Sequence, residues 1–171
     1  MASEMETEES EYCNVRERAA ALGLNEPTDL ALLPRNFEIA ASKAELLNES
    51  TTLTVRKLWR QAGLNETPLD KAGERIPEIK ENDFRLIMPT LFVGYSLWSQ
   101  NPTAMNLALG VAANYVTDFF KGIGGAKKVK LEIIVERTKG KEFRRFSFEG
   151  SPEQLPNNLP DVVAKMIKDG R

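Results

Sequence analysis

Apolar and polar positions alternate most clearly over residues 128–137. A two-residue period is typical of a β-strand whose two faces meet different surroundings. One face carries Val129, Leu131, Ile133 and Val135, and the other carries Lys130, Glu132, Ile134 and Glu136. We expect the first face to pack in a core and the second, with its two glutamates, to be a solvated sheet face.

A second strand is predicted to follow a tight turn at Lys139-Gly140-Lys141. Residues 142–149 carry three phenylalanines, and the first of them, Phe143, is out of phase with the other two. We therefore expect a bulge or a twist near Arg144-Arg145. The two segments together predict an antiparallel C-terminal hairpin.

Residues 86–117 contain no charged side chain. The stretch from Leu91 to Trp98 predicts a buried strand, because it is short, aromatic and apolar. Asn101 and Pro102 then predict the start of a helix, with asparagine as the cap and proline at the first helical position. The helix is apolar on most of its circumference, and its narrow polar stripe consists of Thr103, Asn106, Gly110, Asn114, Thr117 and Lys121.

This apolar helix is better explained as a core helix than as a membrane span. A span needs about 20 apolar residues without a break, and here Pro102, three asparagines and Asp118 interrupt the pattern. We expect the helix to cover a sheet, and its stripe of small and amide side chains can face a partner helix. We expect no membrane interaction.

The first 64 residues predict helices at 14–23, 37–48 and 53–62, with a short helical turn at 28–33. The first and last of these helices end in the same run, Gly-Leu-Asn-Glu, which recurs at an offset of 40 residues. We interpret the repeat as shared helix-stop chemistry, in which a left-handed glycine is followed by an apolar residue. The alternative is duplication of a helix pair.

These elements predict an α+β fold with a small mixed sheet, in the order β-α-β-β-α, and helices mainly on one face. We expect an α+β core domain at 84–171, a linker loop at 65–83 and a helical N-terminal lobe at 13–64. Residues 1–12 hold five glutamates and no lysine or arginine, which predicts a disordered acidic tail. The same residues are the reverse of a signal-peptide start, and we expect a cytoplasmic protein.

Composition limits the chemistry that this chain can perform. Its 171 residues include no histidine and one cysteine, so histidine-based triads, histidine metal sites and an internal disulfide are excluded within the chain. Gly94-Tyr95-Ser96-Leu97-Trp98 matches half of a nucleophile elbow, but Trp98 replaces the second glycine, and we interpret it as strand. We assign no catalytic residue, no metal ligand and no cofactor, and we favour a protein that is not an enzyme.

Basic side chains concentrate between residues 127 and 145, although the net charge of the chain is −2. Lysine and arginine neutralise phosphates, so this hairpin is a candidate nucleic-acid surface. The acidic N-terminal segment can attract the same side chains, or the two segments can serve different partners. The candidate contacts are Lys128, Lys139, Lys141, Arg144 and Arg145.

Apolar side chains beyond the needs of the core favour a different function. The helix at 53–62 carries Leu53, Leu58 and Trp59, which are candidate interface residues. The leading hypothesis is a non-enzymatic adaptor or regulatory subunit that binds a protein partner or a second copy of itself. Nucleic-acid binding through the hairpin is the alternative, and an enzyme using Asp, Glu, Lys or Tyr is the third hypothesis.

Overall fold

The computed structural model describes residues 6–79, 85–122, 124–125, 127–155 and 158–169. Within these residues the chain forms a mixed α+β fold with one six-stranded mixed sheet and five α-helices, which confirms the predicted fold class. The strands are β1 (Glu6–Glu11), β2 (Leu30–Leu33), β3 (Arg85–Ile87), β4 (Thr90–Val93), β5 (Lys128–Thr138) and β6 (Glu142–Gly150). The helices are α1 (Val15–Ala21), α2 (Thr52–Gln61), α3 (Tyr95–Gln100), α4 (Pro102–Phe119) and α5 (Leu159–Lys168).

The strands lie in the order β1-β6-β5-β4-β2, and the short β3 pairs with β5 next to β4. Strands β3 and β4 run parallel to β5, whereas the β5–β6, β1–β6 and β2–β4 pairs are antiparallel. The eleven-residue strand β5 is therefore central, with β6 along one edge and β3 and β4 along the other.

Apolar clusters cover both faces of this sheet. On the first face, β5 side chains from Val129 to Val135 pack with α2, α4 and α5. On the second face, Phe92, Ile134 and Phe143 pack with α1 and with side chains from the loops after β2 and α2. The expectation of a solvated second face is wrong around Ile134 and Glu136, because both residues are buried there.

Two segments that were predicted to be helical are not helices. Residues 30–33 form strand β2, because its four apolar side chains alternate between the two clusters and burial on both faces overrides helix propensity. Residues 37–48 form turns with a single 3₁₀ turn at Lys43–Glu45. The side chain of Asn36 holds this loop, accepting from the Leu47 N–H and donating to the Glu45 carbonyl oxygen.

The repeated Gly-Leu-Asn-Glu run is confirmed as a helix stop. Gly23 and Gly63 have φ values of +74° and +80°, a left-handed conformation that favours glycine. The N–H of the following leucine then bonds back into the last turn, from Leu24 to Ala19 at 2.9 Å and from Leu64 to Trp59 at 3.0 Å. Helices α1 and α2 pack on opposite faces of the sheet.

The C-terminal half follows the sequence expectations with two differences. The predicted strand at 91–98 ends at Val93, and Tyr95–Gln100 forms helix α3 after Gly94. The irregularity expected at Arg144-Arg145 lies instead in the facing strand, where the register shifts between Glu136 and Thr138. Phe143 is out of phase simply because it faces the second cluster.

The N-terminal segment differs from the expected tail and helical lobe. Residues 6–11 form strand β1 against β6, although residues 1–12 were predicted to be disordered. The segment 13–64 contributes strand β2 to the sheet as well as helices α1 and α2. Residues 80–84, at the expected boundary of the linker, lie outside the described residues. None of the helices in the described part of the chain has the length and apolar character that a bilayer crossing needs.

Candidate functional site: an uncharged helix face and a basic sheet edge

Two candidate basic residues of the hairpin face acidic side chains of the same chain. Lys128 Nζ lies 2.9 Å from Glu149 Oε1 on the neighbouring strand. Arg144 Nε lies 3.4 Å from Glu9 Oε1 on β1. Each pair offsets a positive charge that a nucleic-acid phosphate would otherwise meet.

Arg145 is also engaged by the N-terminal segment. Its Nε donates to Ser10 Oγ at 3.1 Å, and its guanidinium lies over the ring of Tyr12, 5.8 Å from the ring centroid. The carboxylate of Glu38 is 3.8 Å away from Nη1. These contacts place Arg145 within the chain's own polar network on the second face of the sheet.

The register of β1 explains why these contacts form. Glu11 pairs with Arg144 and Ser10 pairs with Arg145, so the acidic strand β1 lies directly beside the two arginines of β6. Lys139 and Lys141 lie at the exposed tip of the hairpin. The five basic candidates therefore share one hairpin, but three of them already contact acidic or hydroxyl groups of this chain, which weakens its attraction for nucleic acid.

The three apolar candidates on α2 do not form one exposed patch. Trp59 is fully buried and its indole N–H donates to the Ala108 carbonyl oxygen at 3.0 Å, so its assignment as an interface residue is wrong. Leu58 is half-buried, and Leu53 is 43% exposed. Helical periodicity made Trp59 a candidate, and its packing against α4 makes it part of the core.

The outward side of α4 is an exposed surface without charged side chains over most of its length. No charged residue occurs between Pro102 and Thr117. Leu107 at the middle of this stretch is 44% exposed, and Gly110 and Ala113 are half-buried. We call this surface the α4 face; its exposed and half-buried members are Thr103, Asn106, Leu107, Gly110, Val111, Ala113, Asn114 and Thr117.

The helices that neighbour α4 carry exposed basic side chains. Helix α4 lies between α2 and α5, with which it makes direct contacts. The exposed sides of these neighbours carry Lys57, Arg60, Lys165 and Lys168. Charge is depleted at the centre of protein–protein interfaces, and the uncharged α4 face shares that property.

An open groove with a mixed polar and apolar lining adjoins the N-terminal end of α4. Its volume is about 520 Å³, and it lies between the α3–α4 junction and the last turns of α5. The lining residues are Trp98, Ser99, Pro102 and Met105 on one side and Ala164, Ile167 and Lys168 on the other. The groove has room for an apolar side chain of a partner that lies along the α4 face.

Glu136 is a buried carboxylate that sequence reasoning placed in solvent. It pairs with Arg16 and accepts from the N–H groups of Tyr95 at 2.9 Å and Gly140 at 2.7 Å. Burial alone would raise the pKa of Glu136. The hydrogen bonds from Arg16, Tyr95 and Gly140 together lower it by more, so the pKa lies below its ordinary value. Such a carboxylate holds structure together and is poorly suited to act as a general base near neutral pH. The available signal was Ile134, an apolar residue on the supposedly solvated face.

Cys13 and Ser96 are two further side chains that carry a reactive group. Burial and the nearby Glu38 raise the pKa of the Cys13 thiol to about 11, so that it is protonated near neutral pH. Among the described residues, no group of three or more Cys, Asp or Glu side chains is arranged to hold a metal ion. Ser96, the serine of the partial elbow motif, donates to the Thr28 carbonyl oxygen at 3.4 Å.

No protein-family model, curated protein or solved structure significantly matches this chain. No function can therefore be transferred from a relative. The function is inferred below from the surfaces that the chain itself presents, of which the α4 face and the edge formed by β1 and β6 are the two most distinctive.

Proposed function

We propose that this protein is a non-enzymatic binding protein that docks another protein through the α4 face. The observation that supports this proposal is an exposed helix surface without a charged residue from Pro102 to Thr117. Protein surfaces ordinarily carry charge on about a quarter or more of their residues. Depletion of charge is the compositional property that marks the centre of a protein–protein interface.

The composition of the α4 face suits close helix packing. Gly110 and Ala113 have little or no side chain, which lets the backbone of a partner approach. Leu107 supplies an apolar side chain that is 44% exposed in the isolated chain. Asn106 and Asn114 supply amide groups that can donate and accept hydrogen bonds across the contact.

The α4 face is also rigid before any partner arrives. Asn101 caps the helix through a hydrogen bond from the Ala104 N–H to its side-chain oxygen, at 3.2 Å. The opposite side of α4 is anchored in the core by five buried residues, which are Met105, Ala108, Leu109, Ala112 and Val116. A preformed surface loses little conformational entropy on binding, so more of the contact energy appears as affinity.

A pair of substitutions tests this proposal. Leu107→Lys places a charge at the centre of the α4 face, and Ile39→Lys makes the same apolar-to-lysine change at a loop residue that is 79% exposed. We expect Leu107→Lys to weaken binding at least about tenfold, because the ammonium group would have to be desolvated in the interface. Ile39→Lys is expected to leave binding unchanged.

Binding is measured in two ways with the tagged full chain. Recovery of a stoichiometric protein from native cell extract, with and without nuclease, detects a partner, and analytical ultracentrifugation of the purified chain detects a second copy. Thermal unfolding of both variants checks that each is folded. The proposal fails if Leu107→Lys binds as the parent does, if both substitutions abolish binding, or if nuclease removes the bound material.

A further inference from the structure

Strand β1 belongs to the sheet but contributes nothing apolar to either core cluster. The side chains of Thr7, Glu8, Glu9 and Glu11 are exposed, and that of Ser10 is half-buried. Its attachment therefore rests on backbone pairing with β6 and on polar contacts of its side chains. Exposed ion pairs contribute only about 0–1 kcal/mol each, so β1 is held much less firmly than the central strands.

Arginine side chains lie on both faces of the sheet beside the edge of β6 that β1 covers. On the first face, Arg144 lies 3.4 Å from the carboxylate of Glu9, and Arg137 of the neighbouring strand β5, which also pairs with Glu142, lies 3.8 Å from it. On the second face, Arg145 contacts Ser10. If β1 left, these three arginines would flank an open row of backbone N–H and C=O groups along β6.

Open strand edges are templates for pairing with another extended chain. Here the pairing register would bring alternate side chains of an added strand to Arg144 and Arg137 on one face, and to Arg145 on the other. Carboxylates at those positions would form the charge-assisted contacts that Glu9 makes now. The sequence of β1 therefore indicates which kind of segment fits this edge.

We propose that the edge of β6 is a docking site for an acidic extended segment of a partner protein, and that β1 occupies this site as a displaceable internal competitor. The surface is separate from the α4 face, and the inference stands independently of the function proposed above. Because β1 is tethered to the site, the partner binds only during the fraction of time in which the site is open. The apparent affinity of the partner is its intrinsic affinity multiplied by that fraction. Displacement of β1 is therefore coupled to partner binding.

A fluorescent peptide of residues 6–12 is the probe, and fluorescence anisotropy with the full-length chain gives its affinity. The variant Glu8→Pro/Glu9→Pro disrupts β1 in the chain, because one of two adjacent strand residues donates its N–H to the partner strand. We expect this variant to bind the peptide about tenfold more tightly than the parent, as the internal competitor no longer closes the site.

Charge variants show whether the arginine edge is the site. Adding Arg144→Glu to the proline variant is expected to weaken peptide binding about tenfold, since it places like charges opposite one another. Lys71→Glu makes the same charge change on an exposed loop and is the matched control, expected to leave affinity unchanged. A peptide with glutamine in place of every glutamate is expected to bind more weakly than the acidic peptide.

Other results would overturn the proposal. Equal peptide affinity of the parent and the proline variant would show that β1 does not close the site. Tighter binding of a single-stranded oligonucleotide than of the peptide would assign the edge to nucleic acid. If the proline variant does not fold, Glu9→Lys repels β1 from Arg137 and Arg144 without changing the strand's hydrogen bonding, and it must then show the same gain in affinity.

Discussion

Glu136 joins three separate parts of the fold. Its carboxylate joins α1 through Arg16, the first turn of α3 through the Tyr95 N–H, and the hairpin turn through the Gly140 N–H. Its backbone carbonyl accepts from the indole N–H of Trp98 at 2.9 Å. Because the side chain is buried, removing its charge leaves Arg16 and two N–H groups poorly partnered.

At this residue scale we predict that Glu136→Gln destabilises the protein by about 2–4 kcal/mol at neutral pH. The amide keeps the size of the side chain but loses the charge and turns N–H groups toward donors. Urea unfolding followed by circular dichroism measures the change. Glu142→Gln is the matched control, because that carboxylate is 41% exposed where it pairs with Arg137 and its loss is expected to cost within about 1 kcal/mol. Equal costs for the two variants would contradict the role of Glu136.

The contribution of Glu136 to the free energy of unfolding depends on pH in a direction that its pKa fixes. Since the pKa of Glu136 in the folded chain lies below its ordinary value of 4.5, the carboxylate's contribution is fully present above pH 4.5. It is lost as the pH falls through the folded-state pKa. The stability difference between the parent and Glu136→Gln should therefore shrink in acid, and a difference that grows there would be inconsistent with this ionisation.

At the scale of elements, the junction between β4 and α3 depends on a close backbone approach. The Gly94 N–H donates to the Asp29 carbonyl oxygen at 2.6 Å, which joins the junction to the segment before β2. A Cβ atom at Gly94 would lie only 1.8 Å from the Thr28 carbonyl oxygen. The glycine is needed here for space, because its φ of −77° is open to any residue.

We predict that Gly94→Ala lowers the free energy of unfolding by about 3 kcal/mol or more, because the backbone at Thr28, before β2, must move to admit a methyl group. Gly110→Ala is the control, since an added Cβ there meets no atom within 4 Å and the residue lies inside helix α4. That change should stabilise the chain by about 0.5–1 kcal/mol through helix propensity. Thermal unfolding of both variants measures the contrast, and a mild effect of Gly94→Ala would refute the close approach.

The elements that the sequence predicted well are those fixed by local pattern. Alternation defined β5, and the Asn101 cap, Pro102 and the helix-stop glycines defined the ends of α4, α1 and α2. The helix predictions for residues 28–33 and 37–48 were wrong because the conformation of these segments depends on distant partners. β2 pairs with β4, about 60 residues later in the chain, and the loop after it is shaped by covering the second face.

At the scale of the whole molecule, the two faces of the sheet decide which candidate residues are accessible. Trp59 is lost from the interface candidates because α4 covers it, and the arginines of β6 are partly neutralised because β1 lies beside them. Neither contact could be derived from local sequence, although the opposite charges of the two chain ends predicted their attraction. The α4 face, in contrast, was visible in the sequence as a stretch without charge.

Photo-crosslinking from position 107 detects whether the α4 face contacts another protein. A photoreactive amino acid at position 107 in the tagged full chain, compared with the same amino acid at position 39, samples the face and a matched exposed apolar site. We predict a discrete, nuclease-resistant adduct from position 107, with a partner protein or a second copy, and none from position 39. No adduct from position 107, or the same adducts from both positions, would contradict the claim.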